Sequence, residues 1–339
     1  MLLKDITGLV IPQSSEEREK YIQSGVHYSE MLPIEYVPTK KYMEVYYESL
    51  EKNSRKVSRA IGILSDKIIK NRGKKVVLVS LARAGIPIGI LVKHYIKYKY
   101  DIDVPHYSIS IIRGKGIDDN AMKYLLKIYN PEQLLFIDGW TGKGAIFNEL
   151  NKNISKYKGV SSEIAVIADP ANITELCGTH DDILIPSSCL NSTVSGLVSR
   201  TFLRNDIIGK FDFHGAVYYG ELENSDLSYE FINTIEKEFI LDEIIENNEI
   251  IETKGIDEVV NIGKKFGIED INLIKPGIGE TTRVLLRRIP WKILIDERYK
   301  DDIQLEHIVR LAEEKKVQIT YYPLVHYKCC GIIKKISDI

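Results

Sequence analysis

Cysteine is scarce, with four in 339 residues. Two of them, Cys329 and Cys330, are adjacent, and no C-x-x-C pair occurs. A disulfide framework is therefore excluded, and a reducing, cytoplasmic setting is expected. No apolar run approaches the roughly 18 residues a membrane span needs. The first twenty residues turn acidic quickly and lack an apolar stretch behind a basic end, so no signal peptide and no membrane partner are expected. Internal repeats and low-complexity tracts are absent as well. Net charge is close to zero, at −2, but it is uneven: residues 271–339 hold 13 Lys and Arg against 9 Asp and Glu, leaving the remainder at −6. A basic tail on an acidic body points to a polyanionic partner for the tail.

What is present is ordinary globular composition, 44% hydrophobic and 28% charged, in a chain long enough for two domains. Residues 40–72 carry apolar positions at helical spacing, and Gly73 stops them. Then β-branched runs alternate with helical patterns: strands at 76–79, 106–114, 134–139, 163–169 and 182–186, with helices at 87–99, 119–129 and 144–157. That alternation predicts an α/β, doubly wound parallel sheet. An acidic stretch, 236–258, reads as a terminal helix running into a connector. It sets the boundary between domains 1–254 and 255–339. The tail reads strand (291–296), helix (303–316), strand (317–323), a small C-terminal α/β domain.

Three loops at strand ends carry chemistry. Ser80–Pro87 follows a buried strand and opens a helix. Its small residues Ala84 and Gly85 let backbone amides approach an anion, and Arg83 offers a planar donor fork. Asp138-Gly139-Trp140-Thr141-Gly142-Lys143-Gly144 repeats the strand-to-helix context. Gly139 and Thr141 to Gly144 would wrap a phosphate, and Asp138 would accept from sugar hydroxyls. Ile137 and Gly144 exclude a Walker A loop, and no G-x-G-x-x-G opens the first helix. Arg113-Gly114-Lys115-Gly116 sets two cations between glycines, suited to a mobile lid or to an exposed hairpin. In the tail, a glycine turn at Lys275–Glu280 leads into a helix with Arg283, Arg287 and Arg288 along one face, spaced to track phosphates or simply to meet solvent.

Together the first three loops resemble those of the type I phosphoribosyltransferases, over about residues 30–220. LLFIDGWTGKG resembles that family's ribose-phosphate strand and loop, SLARAG its pyrophosphate loop, and RGKGID its flexible loop. Gly139 stands where the family has a second acidic residue. HYSISIIRGKGID, FIDGWTGKGAI, the stretch from Ala168 to Thr201, and FHGAVYY are similar to phosphoribosyltransferase-related proteins of tellurium-resistance and stress operons, some labelled cysteine protease StiP. KPGIGETTRVLLRRIP and TYYPLVHYKCCGIIKKI resemble the Pelota-like RNA-binding domain.

The resemblance implies a phosphoribosyltransferase enzyme. It would bind 5-phosphoribosyl pyrophosphate or a nucleotide, with Mg2+ carried on the pyrophosphate and Asp138, Arg113 and Lys115 as catalytic residues. Arg83 to Gly85 and Asp138 to Gly144 would hold the ligand, and Arg283, Arg287 and Arg288 a structured RNA. A homodimer is a further partner state left open. A non-catalytic nucleotide sensor that also binds RNA is the alternative reading. A cysteine protease is the third, with Cys177 or Cys189 as nucleophile and His180 or His214 as base; the Cys189 loop equally suits base binding. Cys177-x-x-His180 as half a metal site lacks a second ligand pair in sequence, so no metal site is expected.

Overall fold

The structure is a computed structural model and describes residues 1–241 and 252–335. Its strands are β1 (Lys4–Asp5), β2 (Val77–Ala82), β3 (His106–Ile112), β4 (Gly116–Ile117), β5 (Leu134–Trp140), β6 (Ile164–Ala168), β7 (Cys177–Thr179), β8 (Gly215–Ala216), β9 (Ile274–Pro276), β10 (Pro290–Ile295), β11 (Gln318–Tyr321) and β12 (Cys329–Ile333). Its helices are α1 (Ser15–Gln23), α2 (Lys40–Arg72), α3 (Gly85–Tyr100), α4 (Asp119–Leu126), α5 (Ala145–Ile154), α6 (Ser228–Glu236), α7 (Gly255–Phe266), α8 (Ile278–Arg287) and α9 (Glu306–Glu314).

The body is a six-stranded sheet in the order β4-β3-β2-β5-β6-β7, parallel except for β4. The near-continuous apolar runs of β2, β5 and β6 follow from burial on both faces. Leu78, Leu135, Ile137 and Ala165 pack against α2 and α3, while Val77, Val79, Phe136 and Val166 pack against α4 and α5. This is the expected α/β, doubly wound parallel sheet. Its order reverses between β2 and β5, so the crevice at their carboxyl ends is the place for a ligand.

The last parallel strand departs from expectation. Cys177–Thr179 pairs with β6, whereas 182–186 forms no strand. Asp182 instead turns outward to the tail, where its carboxylate accepts from the backbone amides of Ile278 and Lys328, both at 2.9 Å.

The tail is a second sheet, β11-β10-β12-β9, with α7, α8 and α9. It adds β9, β12 and α7 to the basic helix, α8, and the strand-helix-strand unit read from the sequence. The tail does not stand apart. Ile278, Leu285, Ile308, Leu311 and Cys329 belong to the same hydrophobic cluster as Leu64, Ile137 and Cys189 of the body. Body and tail therefore share one core. Part of the acidic stretch, 242–251, lies outside the described residues.

Candidate functional site

Two loops meet at the switch point. A Cβ on Gly85 would come within 2.3 Å of the Ile137 carbonyl, so only glycine lets the loop after β2 pack onto the tip of β5. The Ala82–Arg83 peptide is cis. From this loop Arg83 reaches the Val198 carbonyl at 3.2 Å and opens onto a cleft. Asp138 lies beside Gly85, with one carboxylate oxygen accepting from the Gly139 amide at 2.8 Å. Burial pushes its carboxyl up to about 7.

The remaining loop side chains turn away from the crevice. The Thr141 hydroxyl donates to Asp169. The Lys143 ammonium donates to the carbonyls of Ile271 and Ile274 in the tail, the latter at 3.0 Å. Burial, then repulsion from Lys275 and Arg113, lowers Lys143 to about 8. The Tyr327 hydroxyl donates to the Gly142 carbonyl at 2.6 Å. Gly144, at φ +81°, lets the chain turn into α5. The reading of Thr141 and Lys143 as open phosphate donors is therefore corrected: the tail packs on this loop and engages the ammonium.

The cleft itself has a volume of about 1010 Å³. Arg18, Arg83 and Arg200 of the body and Lys275, Arg283, Arg287 and Arg288 of the tail line it, against the carboxylates of Glu35 and Glu280. Asp138, Thr141 and Lys143 are not among its lining residues. Burial lowers Arg200 to about 10, and Arg18, Arg83 and Arg288 add repulsion. Glu35 accepts from the Ser192 hydroxyl at 3.0 Å, and Glu280 pairs with Arg283 at 3.4 Å. Arg200 and Arg18 escaped the sequence reading because neither sits in a glycine-rich strand-end loop. Only the fold carries them to the crevice.

Two groups of expected residues are placed differently. The Arg113–Gly116 loop is a hairpin, with Ile111 opposite Ile117 and Ile112 opposite Gly116. Arg113 donates to the Asn272 side chain at 2.9 Å, and Lys115 faces Glu30 at 3.5 Å. The lid reading thus gives way to a hairpin tied to the tail and to the N-terminal segment. On α8, Arg287 donates to the Cys189 carbonyl at 2.7 Å and to the Asn191 side chain. It fastens the tail to the body, while Arg283 and Arg288 remain on the cleft wall.

The thiol chemistry also moves. Burial pushes Cys189 up to about 12, and its charged neighbours are the arginines Arg287 and Arg283. His214 is tied to Ser110 at 2.8 Å. Cys177, by contrast, lies 3.3 Å from His180 Nε2. The His180 Nδ1–H donates to the Asp169 carbonyl at 3.0 Å, which leaves Nε2 as the acceptor facing the thiol. The Asp169 carboxylate completes a Cys, His and Asp cluster whose ligand-type atoms lie within 4.8 Å of one another. The sequence showed the Cys-x-x-His pair but not Asp169, which arrives from the end of the neighbouring strand.

Residues 1–236 match the family described as tellurite-like stress resistance cysteine protease StiP, and residues 253–335 match the PELOTA RNA binding domain. A protein of Acinetobacter baylyi named cysteine protease StiP is 31% identical, over 96% of this chain and 90% of its own. The chain belongs to the StiP family. Among solved structures, it is similar to a hypoxanthine-guanine phosphoribosyltransferase of Bacillus anthracis, at 14% identity and TM-score 0.29 over 37% of this chain and 77% of that one. A Trypanosoma cruzi hypoxanthine phosphoribosyltransferase with bound IMP aligns at 10% identity and TM-score 0.29, over 52% of this chain and 93% of its own. The fold class stands on the sheet order described above. No described helix is long and apolar enough to cross a membrane.

Proposed function

We propose that the chain binds 5-phosphoribosyl pyrophosphate or a nucleotide-like ligand in the cleft, runs a phosphoribosyltransferase-type reaction there, and contacts RNA through its tail. One observation carries this reading: Arg83, at the switch point, opens onto a cleft with seven cations and two carboxylates. Such a cleft suits a reaction in which negative charge develops on departing pyrophosphate, because fixed guanidinium groups stabilise that charge without reorganising. Asp138 lies beside Gly85 and outside the cleft lining, so the reaction read here rests on the cleft cations. Mg2+ fits as an ion carried in by the ligand. Both cleft carboxylates already accept from protein donors, and Gly139 removes the second acid beside Asp138. The RNA part draws on the match of the tail to an RNA-binding family.

Calorimetry on wild type and Arg83→Ala tests the ligand. The variant should bind 5-phosphoribosyl pyrophosphate roughly tenfold or more weakly, as expected for losing about 1.5–3 kcal/mol of charged hydrogen bonding. Equal affinity in both proteins removes Arg83 from the site. Binding without pyrophosphate release, whatever base is offered, selects a sensor over a transferase.

The Cys177–His180 contact favours a second reading, a thiol hydrolase, in keeping with the name of the Acinetobacter relative. His180 would take the thiol proton, with Asp169 orienting the ring. Cys177 has no solvent exposure, so a protein substrate must first open the site. The reading requires wild type to cleave an unfolded protein such as casein and Cys177→Ala to lose that activity. Undiminished cleavage by Cys177→Ala, or none by wild type, dismisses it.

A further inference from the structure

We propose that the cleft is one groove for single-stranded RNA, built jointly by the loops of the body and by α8 of the tail. This rests on reading the cleft as a phosphate site, and it goes further by making the body and tail ligands the same molecule.

Arg283 of α8 and Arg288 just after it line the same cavity as Arg83 and Arg200, which come from loops two hundred and nearly ninety residues earlier. Cations therefore oppose cations across the domain boundary. Burial lowers the proton affinity of Arg83 and of Arg200, and repulsion from Arg283 and from Arg288 respectively adds to it. The shared core holds the two walls together despite this repulsion. Two carboxylates, Glu280 beside Arg283 and Glu35 near Arg83, cannot offset all seven cations. A polyanion between the walls can.

Shape and chemistry narrow the polyanion. At about 1010 Å³ the cleft lies at the top of the ~300–1,000 Å³ range of small-molecule pockets. Arg283 lies within α8 and Arg288, in extended backbone, just past its end, an arrangement that lets them address separate phosphates. Aromatic rings stand between the cations. Tyr28 lies under Arg200, with 4.8 Å from the guanidinium carbon to the ring centroid, and Tyr36 at the cleft is 71% exposed. Guanidinium groups beside the open ring of Tyr36 form a surface that tracks a single strand, phosphates on the cations and a base on the ring.

Fluorescence anisotropy on the full chain, with a 5′-phosphorylated single-stranded RNA of about ten nucleotides, tests the groove, the length lying within the ~4–16 nucleotides such sites cover. Body variant Arg200→Gln and tail variant Arg283→Gln/Arg288→Gln are titrated from low to physiological salt. Both should bind more weakly than wild type. Each should show a shallower salt dependence, by a slope of about 0.7 for every phosphate no longer neutralised. Saturating 5-phosphoribosyl pyrophosphate should displace the RNA from wild type. Where circular dichroism or melting temperature shows misfolding, Arg18→Gln replaces the body variant and Lys275→Gln the tail variant. If the tail variants weaken RNA while Arg200→Gln leaves affinity and slope unchanged, the RNA site lies apart from the body cleft and the proposal is overturned. No binding at low salt overturns it too. If RNA binding responds to both walls but calorimetry finds no binding of 5-phosphoribosyl pyrophosphate, the groove stands and the phosphoribosyl reading alone falls.

Discussion

Asp138 lies two residues before the end of β5, half-buried, with Gly139, not a second acid, beside it. Its charge is opposed by burial and helped only by the Gly139 amide, which is why it titrates near 7 rather than near 4. The sign of the consequence follows from linkage. A carboxyl raised in the folded state contributes stability that is complete below about 3.8 and lost as pH rises through about 7. Wild type should therefore lose roughly 2–4 kcal/mol between pH 5 and pH 8 that Asp138→Asn does not, since each tenfold change in proton affinity is worth about 1.4 kcal/mol. Urea unfolding of both proteins at the two pH values measures the difference. Parallel pH profiles would mean that Asp138 is solvated. At this scale the sequence was informative about residue types and silent about their aim. It showed Thr141 and Lys143 in the right loop, but their side chains answer to Asp169 and to two tail carbonyls. Those partners lie 28 to 131 residues away.

Among the elements, strands buried on both faces were the most legible. β2, β3, β5 and β6 lie within a few residues of the apolar runs that announced them, because no amphipathic alternation competes with a continuous run. The fifth strand was misplaced since DILIP has the stronger β-branched pattern. Pairing with β6 went to the short Cys177–Thr179, whose Gly178 fits against the Ala60 carbonyl of α2, where a Cβ would sit at 2.3 Å. α8 was legible as a basic helix, but its docking was not. Arg287 lies over the Tyr42 ring and reaches the Cys189 carbonyl. Burial lowers it to about 10, with Arg283 and Arg83 adding repulsion. Arg287→Ala should thus act on stability before RNA. It should cost about 2–3 kcal/mol, the range for a hydrogen bond to a charged group plus lost packing. The salt slope of RNA binding should stay near the wild-type value. A chemical melt that leaves stability unchanged while flattening that slope would return Arg287 to the phosphate-contacting set.

The whole molecule is held together by a core that ignores the domain boundary and by polar ties around it. Arg310 to Glu48 at 2.7 Å, Lys52 to Glu306 at 2.7 Å and the Tyr42 hydroxyl to the Leu286 carbonyl at 2.8 Å join α2 to the tail. The exposed ion pairs among these contribute little each. Asp182 differs because it is buried between the two sheets, where it accepts from the first amide of α8 and from Lys328. Burial raises it to about 6 in spite of those two donors. Docking of the tail is therefore favoured fully below about 3.8 and weakens as pH rises through about 6. The change should be local, unlike that at Asp138, which belongs to the body alone. Hydrogen exchange, corrected for the intrinsic pH dependence of the rates, should show the amides of 276–280 and 326–330 opening several-fold more at pH 8 than at pH 5, while β3 stays protected. Asp182→Asn should abolish that pH step. It should also open the interface at both pH values, since an amide accepts from one of the two donors and turns its own NH2 toward the other. Exchange rising equally in β3 and in the tail would mean that the molecule opens as one body and that Asp182 is not the group that sets the docking.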